Sequence, residues 1–266
     1  MNKSKIIANC IKMLTFGKVK ISEQRVRFTK GILLIKPDFR AEINWWKEFI
    51  PSSWELMSNS ESWKKIFPKE LMGYIVDLKK TNNGRIKLLE VGSGPVSLLA
   101  LAAVENLCDI VAVDPLAKEY EKIMTDKGYF YPVKPIRGKG EKLLDLFSAN
   151  TFDMVYSSNA LDHMQSPGRA FKNMYNVTKK GGIIFIEGLV NEGKRTGYSG
   201  LHRFNLFPEK GILYYSRWAD KAIDISSGLK LECIFLKISK AKDRGYGPLY
   251  AEYVNHQWFT IIFRKS

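Results

Sequence analysis

From residue 86 onward the chain alternates short apolar runs with amphipathic stretches, and this alternation leaves few folds open. Runs at 86–91 (IKLLEV), 109–113 (DIVAV), 133–137 (VKPIR), 153–157 (DMVYS) and 182–187 (GIIFIE) read as strands. Stretches at 95–106, 117–127, 141–147 and 167–178 read as helices between them. Strand alternating with helix predicts a mostly parallel sheet with helices on both faces. Two further runs, 229–238 (LKLECIFLKI) and 257–264 (QWFTIIFR), flank loop-like residues 239–256 and predict an antiparallel hairpin at one edge. The expected fold is therefore α/β, a doubly wound, mostly parallel seven-stranded sheet with a C-terminal antiparallel hairpin. Gly181-Gly182 after Lys179-Lys180 predicts a helix stop just before a strand.

Residues 1–80 read differently, as a basic arm and a Trp-rich helical extension ahead of a domain at 81–266. Residues 4–16 place Ile6, Ile7, Cys10, Ile11, Met13 and Leu14 largely on one side of a helix. Residues 18–36 alternate partly and predict a hairpin. Residues 42–80 look helical, and Trp45, Trp46, Trp54 and Trp63 suit either core packing or a lid over a pocket. Of the net charge of +15, residues 1–40 hold +8, from ten Lys/Arg against two acids. Such an arm can attract nucleic acid, an anionic membrane surface or an acidic glycan, or simply be solvated. No apolar run reaches the roughly 18 residues of a membrane span, and no cleavage pattern follows the first residues. Three cysteines far apart (Cys10, Cys108, Cys233) make no disulfide framework, so a reducing cytoplasm is expected, with peripheral membrane contact through residues 1–40 left open. Three histidines with no Cys/His pairing give no metal-ligand spacing, and no metal site is expected.

The loop after the first strand of the α/β region carries the chemistry. It reads Glu90-Val91-Gly92-Ser93-Gly94-Pro95. Glycines let the backbone turn tightly and approach a ligand, and Pro95 suits the first turn of a helix. A dinucleotide fingerprint wants a third glycine near position 97, where Ser97 stands. The second strand ends in Val113-Asp114, and an acid there can accept hydrogen bonds from both hydroxyls of a ribose. Glu90 decides between two ribose ligands. A carboxylate inside the loop would repel a pyrophosphate and would suit a cofactor bearing a sulfonium and an ammonium.

Glu-x-Gly-x-Gly at 90–94, Val-Asp at 113–114, Phe-Asp-Met-Val-Tyr-Ser-Ser-Asn-Ala-Leu-Asp-His at 152–163 and Lys-Lys-Gly-Gly at 179–182 together resemble the class I S-adenosylmethionine-dependent methyltransferases. The resemblance covers about residues 86–190. Lys180 and Val96 depart from it, where many members have Pro and a third Gly. It implies S-adenosylmethionine as cofactor. Gly92, Ser93 and Gly94 would approach its methionine part, Glu90 would orient its amino end, and Asp114 would hold its ribose. Pro115 or Leu116 would line the adenine, with Gly140-Glu141 also near it. Ser158 and Asn159 would end the fourth strand near the transferable methyl group.

A hydroxyl acceptor needs its proton removed, and histidine is a natural base near neutral pH. His202 lies in the Gly-rich segment 188–207, read as a loop overhanging the site, where Tyr198, Arg203 and Asn205 could also face an acceptor. His163 follows strand four, and His256, before the last strand, reads as structural. No Asn/Asp-Pro-Pro-aromatic motif follows strand four, which argues against methylation of nucleic-acid base amines. Asp162 and Glu187 alone do not make a metal-dependent catechol-type centre. The expected function is O-methylation of a small or carbohydrate-like acceptor, lipid-linked glycans included. The 188–207 segment is similar to one in bacterial methyltransferases of polysaccharide-type pathways. An RNA methyltransferase using the basic arm, and a non-catalytic binding protein, are the alternatives. Oligomeric state is left open.

Overall fold

The computed structural model describes residues 26–29, 32–35, 39–244 apart from 83 and 219, and 255–266. Two compact units divide after Asp38. In the first, β1 (Val26–Thr29) pairs antiparallel with β2 (Ile32–Ile35), the hairpin expected within 18–36. The helix expected at 4–16, with Cys10, lies outside the described residues.

The second unit opens with α1 (Phe39–Ser53), α2 (Ser60–Ile66) and α3 (Lys69–Thr81). The Asn59 side chain caps α2 by accepting from the Ser62 N–H at 2.9 Å. Trp63, Ile66, Leu71 and Ile75 are buried in one cluster with Leu88, Leu99, Tyr156 and Phe185 of the sheet region. Within the second unit α2 and α3 thus supply core to the sheet.

That sheet runs β11 (Leu231–Lys240), β12 (Gln257–Lys265), β7 (Thr178–Leu189), β6 (Phe152–Ser158), β3 (Lys87–Val91), β4 (Asp109–Asp114), β5 (Pro135–Arg137). β7, β6, β3, β4 and β5 are parallel, while β12 runs antiparallel to β7 and to β11. The first six residues of β6 are all buried, as a strand covered on both faces requires. One face carries α2, α3 and α4 (Ala100–Val104). The other carries α6 (Pro167–Val177). A third cluster joins Ile50 of α1 to Tyr120, Ile123 and Met124 of α5 (Ala117–Asp126).

Three local expectations are corrected. The segment 188–207 is not a loop: it holds the end of β7, the short helix α7 (Glu192–Arg195) and the start of β8 (Asn205–Glu209). With β9 (Ile212–Ser216) and β10 (Ile223–Asp224), β8 makes a three-stranded antiparallel sheet. Leu206, Leu213 and Ile225 pack in one cluster with Phe259, Ile261 and Phe263 of β12. Gly181-Gly182 does not stop a helix: α6 ends at Val177, and the glycines sit inside β7 where the β6–β7 register shifts. A Cβ on Gly182 would come within 2.8 Å of the Asp153 carbonyl oxygen, so the kink admits only glycine. Third, α4 starts at Ala100 rather than near Pro95, because residues 95–99 serve the site described below. Among the described residues no helix is long and apolar enough to cross a membrane.

Candidate active site

The carboxyl ends of β3, β4, β6 and β7 converge on the glycine loop. Gly92 has φ +75°, and a Cβ there would lie 2.4 Å from Cβ of Ala160, just past β6. The Gly92 N–H donates to the Val113 carbonyl at 2.8 Å. Gly94, at φ +62°, donates its N–H to Asp114 Oδ2 at 3.1 Å, and Leu116 N donates to Asp114 Oδ1 at 2.8 Å. Asp114 is thereby fixed at the tip of β4, facing the loop. Burial pushes its carboxyl up to about 6, with the two backbone bonds opposing.

Glu90 is 2% exposed. The Ser97 hydroxyl donates to its Oε2, and Leu98 N donates to Oε1 at 3.3 Å. The carboxylate therefore ties the loop to the residues leading into α4. Burial pushes Glu90 up to about 8, opposed by those bonds. Ser93 is buried, its hydroxyl donating to the Gly94 carbonyl at 3.1 Å. Asn159 accepts from Leu189 N at 3.1 Å and donates its own N–H to the Glu187 carbonyl at 2.9 Å, holding the ends of β6 and β7 together. Ser158 is half-buried at the end of β6.

Helix α1 stands over this loop. The Trp46 ring comes 3.4 Å from where a Gly94 Cβ would lie, and its Nε1 donates to Glu42 Oε1 at 2.8 Å. Of the four tryptophans, Trp46 alone is shown against the glycine loop. Trp63 is core, Trp54 stacks on Tyr129 at 4.1 Å, and Trp45 stacks on Phe49. Beside the loop lies a cavity of about 470 Å³ lined by Phe39, Ile43, Pro115 and Leu116, with Arg137 and Lys139 among its polar residues. Its apolar wall suits a flat aromatic ring. Gly140 and Glu141 lie in sequence between Lys139 and Lys142 of that lining. A Cβ on Gly140 would meet Met164 Sδ at 2.8 Å, and Glu141 Oε1 accepts from Gln165 N at 2.7 Å and Ser166 N at 3.2 Å, ahead of α6.

Past Ala160, a 3₁₀ turn (Leu161–His163) carries Asp162, which is 2% exposed. His202 Nδ1 lies 2.8 Å from Asp162 Oδ2 and 2.9 Å from His163 Nε2. His163 Nε2 lies 3.4 Å from the same carboxylate oxygen. Glu192 Oε1 is 3.8 Å from His202 Nδ1 and is also bonded by Arg195. Two buried oxygens in this cluster, Asp162 Oδ1 and Glu192 Oε2, have no hydrogen-bond partner. Burial disfavours a charged His202, but the hydrogen bond and charge of Asp162, with Glu192 and Glu42, outweigh it and raise the imidazole above its ordinary 6.5. With Nδ1 directed at Asp162, Nε2 is the ring nitrogen left to take a proton.

The other residues expected to face an acceptor also hydrogen-bond within the segment or to His163. Asn205 accepts from Lys194 N at 2.7 Å and donates to the Tyr198 hydroxyl at 2.9 Å, and Arg203 Nη2 donates to the His163 carbonyl at 2.8 Å. His256 is half-buried before β12, its carbonyl accepting from Ala241 N at 2.9 Å. Sequence reasoning missed Glu42 and Glu192. The four-residue spacing of Glu42 and Trp46 on one helix face was the available signal for the first, and nothing local marked the second.

Residues 89–186 match a family model described as a methyltransferase domain. Two curated relatives are thiol S-methyltransferases (TMT1B), from Mus musculus at 29% identity and from Rattus norvegicus at 30%. The matches take in 49% and 50% of this chain and 54% and 55% of those proteins, so the chain spans about half the length of the curated relatives it matches. Among solved structures, phosphoethanolamine N-methyltransferase 2 of Haemonchus contortus with S-adenosyl-L-methionine aligns at TM-score 0.52 and 17% identity, over 90% of this chain and 61% of that one. That is a likeness of fold. S-adenosylmethionine is the cofactor of such a domain, and the site fits it. The loop has no room for a Cβ at Gly92, Asp114 offers a fixed carboxylate, and the cavity beside Leu116 has an apolar wall.

Proposed function

We propose that the chain is a class I S-adenosylmethionine-dependent methyltransferase that methylates a hydroxyl of a small or carbohydrate-like acceptor, with His202 as general base; the match of residues 89–186 to a methyltransferase-domain model supports the reaction class. The observation that carries this reading is the buried Asp162 carboxylate on His202 Nδ1, in the turn that follows Ala160. Ala160 is the residue packed against Gly92. When bound, the cofactor supplies a methyl carbon already activated by its sulfonium. The chain's own task is then to hold donor and acceptor in line and to remove one proton. Gly92 and Gly94 let backbone approach the methionine part, Asp114 accepts from the ribose hydroxyls, and Pro115 and Leu116 line the adenine. Asp162 orients the His202 ring and stabilises its protonated form, as a carboxylate does in hydrolase triads. The +8 on residues 1–40 supports an acceptor that presents anionic groups, such as a lipid-linked glycan.

The thiol S-methyltransferase relatives favour a second reading, a thiol acceptor. A thiol ionises near 8.5 and needs little help, whereas a hydroxyl needs a built base. The Asp162–His202 pair therefore weighs toward the hydroxyl. The test is methyl transfer from labelled S-adenosylmethionine to a panel of sugars, lipid-linked glycans and small thiols, with wild type and His202→Ala. Transfer to a hydroxyl that falls about 100-fold or more in the variant supports the proposal. Transfer confined to thiols and unchanged in the variant overturns it.

A further inference from the structure

We propose that Asp162, His163 and His202 form a binding site for a first-row divalent cation of the zinc type, and that occupancy of this site disables the base. Two imidazole nitrogens and one carboxylate oxygen converge here, with separations of 2.8, 2.9 and 3.4 Å. Ligands about 2.0–2.1 Å from zinc in tetrahedral array stand roughly 3.3 Å apart. The triangle is slightly tighter than that, and a cation just off its plane reaches all three atoms after small side-chain adjustments.

The donor set selects the metal. Two neutral imidazoles with one carboxylate suit zinc or ferrous iron, whereas magnesium and calcium take oxygen ligands. The same cluster also holds buried polar atoms whose hydrogen bonding is incomplete, Arg195 Nε and Arg203 Nε among them. Asp162 Oδ1 and Glu192 Oε2 are buried without partners, on side chains 3% and 2% exposed. Buried carboxylate oxygens are costly unless paired or metal-bound. Glu192 Oε1, 3.8 Å from His202 Nδ1, is held by Arg195 and stands outside the three converging ligands. The supporting bonds are in place: Arg203 Nη2 holds the His163 carbonyl at 2.8 Å, and Arg203 N holds the Asp162 carbonyl at 3.2 Å. Such bonds around a metal site fix the orientation of its ligands.

A cation on His202 Nδ1 uses that nitrogen's lone pair and leaves the ring proton on Nε2. The imidazole then donates a hydrogen bond and cannot accept the acceptor's proton. This consequence, unlike the site itself, rests on His202 being the base.

The experiment is titration of the chelator-stripped full chain with Zn²⁺ by calorimetry, with metal analysis after gel filtration. Co²⁺ serves as a spectroscopic stand-in, and circular dichroism checks that each variant is folded. One equivalent should bind, and His163→Ala, His163→Gln and Asp162→Asn should each weaken it by about 10- to 100-fold or more, the loss seen when even a supporting residue is removed. Wild type binding no tighter than the folded variants overturns the site. Initial rates with added Zn²⁺ or with chelator separate the two claims. Zinc that binds and stops transfer supports both. Zinc that binds without slowing transfer keeps the site and overturns His202 as base. Absent binding, with transfer still lost in His202→Ala, overturns the site and keeps the base.

Discussion

Replacing Glu90 with Gln should change how the stability of this protein depends on pH. Glu90 is 2% exposed, and burial holds its carboxyl near 8 against an ordinary 4.5. Below pH 4.5 the group is protonated in both folded and unfolded chains. Between 4.5 and about 8 the folded chain keeps a proton that the unfolded chain has released. Stability therefore falls as pH rises through this window and levels off above it. Each pKa unit corresponds to about 1.4 kcal/mol, so the whole window removes about 4–5 kcal/mol. That is a large share of the roughly 5–15 kcal/mol that holds a typical domain folded. Glutamine has no proton to lose and keeps an oxygen for the Ser97 hydroxyl. The advantage of Glu90→Gln over wild type should thus grow by about 1.4 kcal/mol per pH unit between roughly pH 5 and 8. Asp114 is present in both chains, and its charge is one of the groups that raises Glu90. The assay is urea unfolding of both proteins without cofactor, at four pH values across the window. If the two stability curves run parallel, Glu90 ionises normally and the burial argument is wrong.

Further outcomes are expected at Asp114, in the glycine loop and at Asp162. Asp114→Ala removes a carboxylate that would accept two ribose hydroxyls, at about 1.5–3 kcal/mol for each charge-assisted bond, so calorimetric affinity for S-adenosylmethionine should fall about 100-fold or more. Since Asp114 is held near 6, wild-type affinity should also rise between pH 5 and 7 as the carboxylate gains its charge, and a flat profile would refute that role. Gly92→Ala combines φ +75° with a Cβ 2.4 Å from that of Ala160 and should destabilise by at least about 1–3 kcal/mol in thermal unfolding. Gly94→Ala, whose Cβ would meet only Trp46 at 3.4 Å, should cost less. Asp162→Asn should lower methyl transfer about 100-fold or more while leaving S-adenosylmethionine affinity within a few-fold, and equal losses in both would mean that the residue serves the fold instead.

The sheet and the cofactor loop could be read from the chain because their determinants are local. β3, β6 and β7 are near-continuous apolar runs because both their faces are covered, and a run of that kind needs no distant information to be recognised. Gly92, Gly94 and Asp114 sit at the ends of adjacent strands, so strand order alone brings them together. The edge hairpin of β11 and β12 was legible for the same reason. The cover of β8, β9 and β10 was not. Its strands are short, β8 contains Pro208, Lys210-Gly211 turns the chain between β8 and β9, and they become strands by packing Leu206 and Leu213 onto β12. The remainder of the site lies wholly at this tertiary level. His202 stands 40 residues from Asp162, and Trp46 stands 48 before Gly94; nothing in either local pattern names its partner. Dihedral preference and hydrophobic periodicity act over a few residues, so the chain itself determined its strands, its helices and its glycine loop. Which side chains share a buried carboxylate was decided when the 188–207 segment folded across the end of β6, because contact between distant residues is set by packing of whole elements rather than by neighbours in sequence.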